Sequence, residues 1–270
     1  MTTPRAAGPL HRAARRWLPR RLRSEVAIAR RHLRDRRRRD VFATRHGEPS
    51  DFPHAFEGYA LPMIIYPGQE HVAEGKLHNQ RLMATALDGV RIGPGEVLSL
   101  WRCAGRPSAR RGYLPGAAIV AGELVTEDGG ATCLLSTVLY NAGLLAGLDV
   151  LERHNHSVDQ YGAARYFEPG RDATIEYGVL DLRFRNPHPF AVLLELTSDD
   201  ERVAATFRAP VADLPAVEVA VELPPAGAHA WSARTRRTVT PPGGAPRRED
   251  LGWSVYRVPD ARYLRSAARA

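Results

Sequence analysis

The sequence predicts an α+β fold: a central, mostly antiparallel sheet, a helix starting at Cys133, and a basic helical arm at the N-terminus. Two observations carry this. Helical periodicity occurs in a few early stretches, and alternating, β-branched segments separated by turn residues dominate afterwards. Helices and strands do not alternate as a parallel βαβ chain requires, and no internal repeat is present.

The elements follow in order. Residues 1–9 are expected to be disordered, and 10–18 to form a short helix stopped by Pro19. From Leu22 to about Arg38, Leu22, Val26, Ala29 and Leu33 fall at spacings of four, three and four, a single helical seam with arginines on the other faces. Residues 41–75 read as an irregular linker rich in Gly, Pro and His, with one short strand near Ala60 to Tyr66. A helix fits His78 to Leu87, its inward face Leu82, Met83, Ala86 and Leu87, ended by Asp88-Gly89. Gly93-Pro94-Gly95-Glu96 is a tight turn before a strand from Val97 to Trp101. Ala117 to Val120 and Glu123 to Val125 form a hairpin around Ala121-Gly122. After the Cys133 helix, strands are predicted over Leu148–Arg153, Arg171–Tyr177 and Leu180–Arg185. A hairpin of Phe190–Thr197 and Arg202–Phe207 follows. Residues 210–270 add a strand at Val217–Leu223, a Pro-Gly loop and an edge strand at Gly252–Val258.

Charge is uneven. Residues 1–40 hold 14 arginines against Glu25, Asp35 and Asp40, whereas the whole chain of 270 residues is only +8. The body is therefore slightly acidic, and no nucleic-acid partner is expected. The arm has two readings: it attaches through residues 10–39 to an anionic membrane surface, or its seam packs on the body with the basic face solvated. The seam lacks strong membrane anchors apart from Trp17, so packing on the body is the expected arrangement. Two cysteines make no disulfide framework. No run of apolar residues is long enough to span a bilayer, and no apolar segment follows the basic start, so a cytoplasmic location, peripheral to the membrane at most, is expected.

Cys133 is the leading chemical feature. Gly129-Gly130 ends just before it and an apolar helical run begins just after it. At a helix start, free N–H groups and the macrodipole stabilise a thiolate. Cys103, beside Trp101, reads instead as a small buried hydrophobe. His154 and His156 supply candidate bases. On a strand both would project from one face. An H-x-H pair also suits metal ligation, but no second ligand pair supports it, and neither a metal nor a cofactor is expected. Asp172, Asp181 and Asn186 are candidates to orient a histidine. Arg153 would face away from the histidines on a regular strand, in a structural salt bridge unless a bulge turns it towards a substrate carboxylate.

These residues stand in an ordered series: Asn79; Pro94-Gly95-Glu96-Val97-Leu98-Ser99; Gly112-Tyr113; Gly129-Gly130-Ala131-Thr132-Cys133 with Ser136 to Tyr140; Glu152-Arg153-His154-Asn155-His156; Gly170-Arg171-Asp172-Ala173-Thr174; and Asp181-Leu182-Arg183-Phe184-Arg185-Asn186. The series resembles the VanW family over about residues 76 to 196. The resemblance implies a VanW-like domain at 76–209, between the arm (1–40) with its linker (41–75) and C-terminal strands with a tail (210–270). It implies acyl transfer of the L,D-transpeptidase kind on a peptidoglycan stem peptide or its precursor, with the block cysteine as nucleophile. The family spacing places a histidine three residues after the arginine, which makes His156 the expected base and Asp172 the first choice to hold it. Ser136, Arg153, His154, Asp181 and Asn186 are expected to contact substrate. The alternative is a non-catalytic accessory or binding protein of cell-wall metabolism or glycopeptide resistance. Two positions depart from the family: Leu134 replaces the glutamine after the cysteine, and Ala131 replaces the third glycine. If that glutamine helps bind an oxyanion, its loss costs about a hundredfold in rate.

Overall fold

The computed structural model describes residues 20–258, except 68, 121–122, 160–161, 226 and 228–229. The expectations for 1–9, for the helix at 10–18 and for the Ala121-Gly122 turn lie outside the described residues. The fold is α+β with antiparallel sheets and few helices. Its α-helices are α1 (Arg20–Arg38), α2 (Ala73–Leu87), α3 (Leu100–Ala104) and α4 (Cys133–Leu145).

Helix α4 organises the core. It carries no charged residue, and every position from Leu134 to Leu145 is buried, the signature of a helix enclosed on all sides. Burying one of its leucines fully stabilises the fold by about 1.5–3 kcal/mol. Gly143 belongs there for a steric reason: an added Cβ would lie 2.5 Å from the Phe184 ring.

Among the described residues the strands form four sheets. The largest centres on the hairpin β10 (Val192–Ser198) and β11 (Arg202–Ala209), with Glu195 opposite Thr206. Strands β4 (Val90–Ile92) and β1 (Arg45–His46) extend one side; β2 (His54–Ala55) and β3 (Tyr59–Pro62) pair with β11 on the other. A second sheet runs β5 (Val97–Ser99), β9 (Arg183–Arg185), β8 (Asp149–Glu152). Strands β6 (Pro115–Val120) and β7 (Glu123–Asp128) form an isolated hairpin. The last sheet is β12 (Ala216–Glu222), β13 (Ala230–Thr240) and β14 (Arg247–Arg257). α4 packs on β11, β3 and β12.

Several expectations change. Helix α2 begins at Ala73 rather than His78. The strand expected to reach Trp101 stops at Ser99, whose hydroxyl caps α3 by accepting from the Arg102 amide at 3.3 Å. Residues 171–177 form no strand; their backbone is bonded to α4 side chains, and Glu176 makes only an isolated bridge to Leu180. Strand β13 was not expected. Its buried positions alternate as Ala233, Thr235, Arg237 and Val239, so half of the period-two signal is polar. Buried Arg237 donates to Leu144 O (3.1 Å) and Leu148 O (2.9 Å), capping the carbonyl end of α4.

Helix α1 docks through ions rather than its apolar seam. Arg31 pairs with Glu152 at 2.6 Å, and Asp35 with Arg183 at 2.8 Å and Arg102 at 3.2 Å. Among the described residues, no helix is long and apolar enough to cross a membrane.

Candidate active site

Cys133 opens α4 because the preceding backbone is held in a conformation that ends the β6–β7 hairpin abruptly. Gly129 has φ +77° and Ala131 φ +65°. At Gly130, an added Cβ would meet Gly116 O at 2.2 Å, so only glycine allows that approach. Asn79 on α2 clamps the same junction. Its amide donates to Leu114 O (2.8 Å) and Gly130 O (3.1 Å), and its carbonyl accepts from the Leu114 amide at 2.9 Å. Thr132 donates to Gly129 O instead of capping α4, leaving the first-turn amides without a side-chain cap.

The segment after β8 brings in the imidazole. The strand ends at Glu152, so His154 and His156 do not share a face as a continued strand would require. His154 is the more exposed and turns back to Glu152, Nε2 to Oε1 3.2 Å. His156 turns inward, its Nδ1 2.6 Å from Asp172 Oδ2, and its backbone amide donates to the same oxygen at 2.7 Å. The Asp172 carboxylate thus selects the protonated Nδ1 and leaves Nε2 for the thiol. Tyr166 OH lies 3.5 Å from that Nε2, and Phe167 stacks on the ring at 5.4 Å.

Asp172 is fully buried, and its second oxygen is saturated. Oδ1 accepts from Arg153 Nη2 (2.8 Å) and from Tyr256 OH (2.5 Å). Arg153 also donates to Asp172 O, Gly170 O and Ser254 Oγ. With these protein acceptors engaged, Arg153 holds the aspartate in place.

Electrostatics couples the three groups. Burial pushes the Cys133 thiol up, but the hydrogen bond and charge of His156, with Thr174 and the Ile175 amide, outweigh it and hold the pKa below its ordinary value. Burial pulls the imidazolium down, and Asp172 and Cys133 override this to raise His156 to about 10. Asp172 is lowered against its own burial by His156, Arg153 and Tyr256. The Cys133–His156 contact therefore favours thiolate and imidazolium over thiol and neutral imidazole.

The remaining expected residues sit in the scaffold. Ser136 donates to Cys133 O (3.1 Å) and Ala173 O (2.6 Å), tying α4 to the Asp172 segment. Asp181 accepts from Ser99, the Trp101 amide and Arg183. Asn186 donates to Ile92 O and Phe190 O. Leu134, at the family's glutamine position, is a core residue. Lys76, the chain's only lysine, was not singled out from the sequence. Burial lowers its pKa to about 8 against the charge of Cys133, so a cation lies within electrostatic reach of the thiol. Its Nζ donates to Ile64 O. Among the described residues, no cluster of His, Cys, Asp and Glu is arranged to hold a metal ion.

Residues 75–208, which span α2 to β11 and hold all three groups, match the family described as VanW like protein. These residues belong to the VanW family. The chain is 34% identical over 131 residues to the Vancomycin B-type resistance protein VanW of Enterococcus faecalis, covering 48% of each chain. It is 35% identical over 121 residues to the Uncharacterized protein YoaR of Bacillus subtilis, covering 45% of this chain and 39% of that protein. The chain thus matches less than half the length of these curated relatives. No solved structure matches it. The VanW region accounts for the thiol, imidazole and carboxylate, while Tyr256 and Ser254, which brace Asp172 and Arg153, lie beyond it on β14.

Proposed function

We propose that this protein is a cysteine acyltransferase acting on peptidoglycan stem peptides or their precursors. The observation that carries the reading is the Cys133–His156–Asp172 arrangement, with the thiol pKa lowered by His156 and the imidazole pKa raised by Asp172 and Cys133. The Enterococcus relative is named for vancomycin resistance, which suits a setting in glycopeptide resistance.

In this reading the Cys133 thiolate attacks the carbonyl carbon of an L,D-peptide bond. The uncapped first-turn amides of α4 stabilise the oxyanion, in the absence of a glutamine after the cysteine. The C–N bond breaks, the thioester forms, and the His156 imidazolium gives its proton to the departing D-alanine amine. Neutral His156 then takes a proton from an incoming amine, which attacks the thioester and releases Cys133. Lys76 supplies a positive charge suited to a substrate carboxylate.

Intact mass after incubation with a disaccharide-tetrapeptide tests this. The expected product is an adduct equal to the substrate less alanine, absent in Cys133→Ala. An equal adduct in Cys133→Ala sinks the nucleophile assignment. No adduct, with Cys133 still alkylating rapidly in mild acid, removes this substrate class.

A further inference from the structure

Helix α1 sits the opposite way round from its sequence expectation. At 3.6 residues per turn, Val26, Ala29 and Leu33 share one face with Arg30, Arg34 and Arg37, and Arg31 and Asp35 lie opposite. The ionic face is the docked one: Asp35 is buried against Arg183, and Arg31 pairs with Glu152. The apolar ridge faces outward, with Val26 42% and Leu33 51% exposed.

Charge follows the same division. Both acids of the helix turn to the body, Glu25 to Arg106 at 2.8 Å and Asp35 to Arg183 and Arg102. Among the described residues, no carboxylate pairs with Arg30, Arg34 or Arg37. The outer face is therefore an apolar ridge flanked by uncompensated guanidinium groups. Single exposed apolar residues are ordinary, but here they are aligned on a helix already anchored by its other face.

We propose that the outer face of α1 is a docking surface for an anionic membrane. The helix lies along the headgroups, Val26, Ala29 and Leu33 reach the acyl boundary, and the arginines meet lipid phosphates. A second copy of the same face would set arginine against arginine. Nucleic acid would use the charges and leave the ridge without a partner.

Co-sedimentation of the full chain with vesicles tests this. Binding is expected to phosphatidylcholine mixed with phosphatidylglycerol and not to phosphatidylcholine alone. V26Q/L33Q keeps the charge and the docking ions, and should weaken binding about tenfold, as loss of two partly inserted apolar side chains predicts. R30Q/R34Q/R37Q should abolish the preference for the anionic vesicles. Leu33→Trp enlarges the ridge and should strengthen binding, a gain that misfolding does not produce. Absence of binding to the mixed vesicles overturns the proposal. So does unchanged binding in both V26Q/L33Q and Leu33→Trp, which would assign binding to charge alone.

Discussion

The chain's two cysteines sit in comparable surroundings and have opposite chemistry. Each is half-buried, and each lies near a buried aspartate that is itself paired with an arginine: Asp172 with Arg153 near Cys133, Asp181 with Arg183 near Cys103. Yet burial, aided by the Asp181 charge, pushes the Cys103 thiol up to about 12, while Cys133 is drawn below its ordinary value. The largest difference is an imidazole, to which the Thr174 hydroxyl and the Ile175 amide add. Beside Cys133 the carboxylate acts through His156 and presents a positive charge to the sulfur; beside Cys103 its negative charge reaches the thiol with no such relay. An aspartate–arginine pair alone does not make a reactive thiol.

Removing the imidazole should break this contrast most strongly. His156→Ala is expected to return Cys133 to a thiol pKa near 8.5 or above, and to slow its alkylation at mildly acidic pH on the order of a hundredfold. His154→Ala should leave the rate unchanged, because His154 faces Glu152. Iodoacetamide kinetics against pH separate the two. A raised pKa in the His154 variant instead would reverse the assignment.

The two aspartates sharpen the comparison next. Asp172→Asn leaves Arg153 without its carboxylate and should cost about 3–5 kcal/mol of stability, whereas Asp181→Asn leaves Arg183 paired with Asp35 and should cost less. Only Asp172→Asn should also slow Cys133 alkylation. Urea denaturation read alongside alkylation distinguishes a positioning role from a merely structural one, since equal slowing in both variants would point to general loosening.

The pH dependence of stability gives a smaller effect with a defined sign. The folded pKa of His156 is raised from 6.5 to about 10, so its contribution is complete below 6.5 and is lost as pH rises through about 10. That of Cys133 is lowered from 9.0, so its contribution is complete above 9.0 and is lost as pH falls through its lowered value. Above both 6.5 and the lowered Cys133 value, and up to 9.0, the two offset, because thiolate plus imidazolium binds as many protons as thiol plus imidazole. The pair therefore predicts a plateau in wild-type stability. In Cys133→Ala the plateau should become a decline with rising pH, measurable as urea midpoints at neutral and mildly alkaline pH.

The smallest change concerns the approach to Cys133. Ala131 holds φ +65°, where a Cβ costs about 1–2 kcal/mol. Ala131→Gly relieves that strain and gains unfolded-state entropy, a net stabilisation of about 0.5 kcal/mol. A fall in melting temperature would show that the Ala131 methyl packs usefully.

Much of this was legible in the chain. The glycine pair before Cys133, the apolar run after it and the period-two hairpins are local signals, and local sterics decide them. The antiparallel α+β class followed from their order. Other features are tertiary in origin. His156 turns to the thiol and His154 away because β8 stops at Glu152, a boundary set by pairing with β9. Strand β13 hides its alternation in Thr235 and Arg237, which are buried only because Gly170, Glu249 and the end of α4 receive their polar groups. Helix α1 shows its seam to the outside because Arg183 and Glu152, far along the chain, bind its opposite face. Periodicity marks which residues share a face; only the partners brought by the fold decide which face is buried.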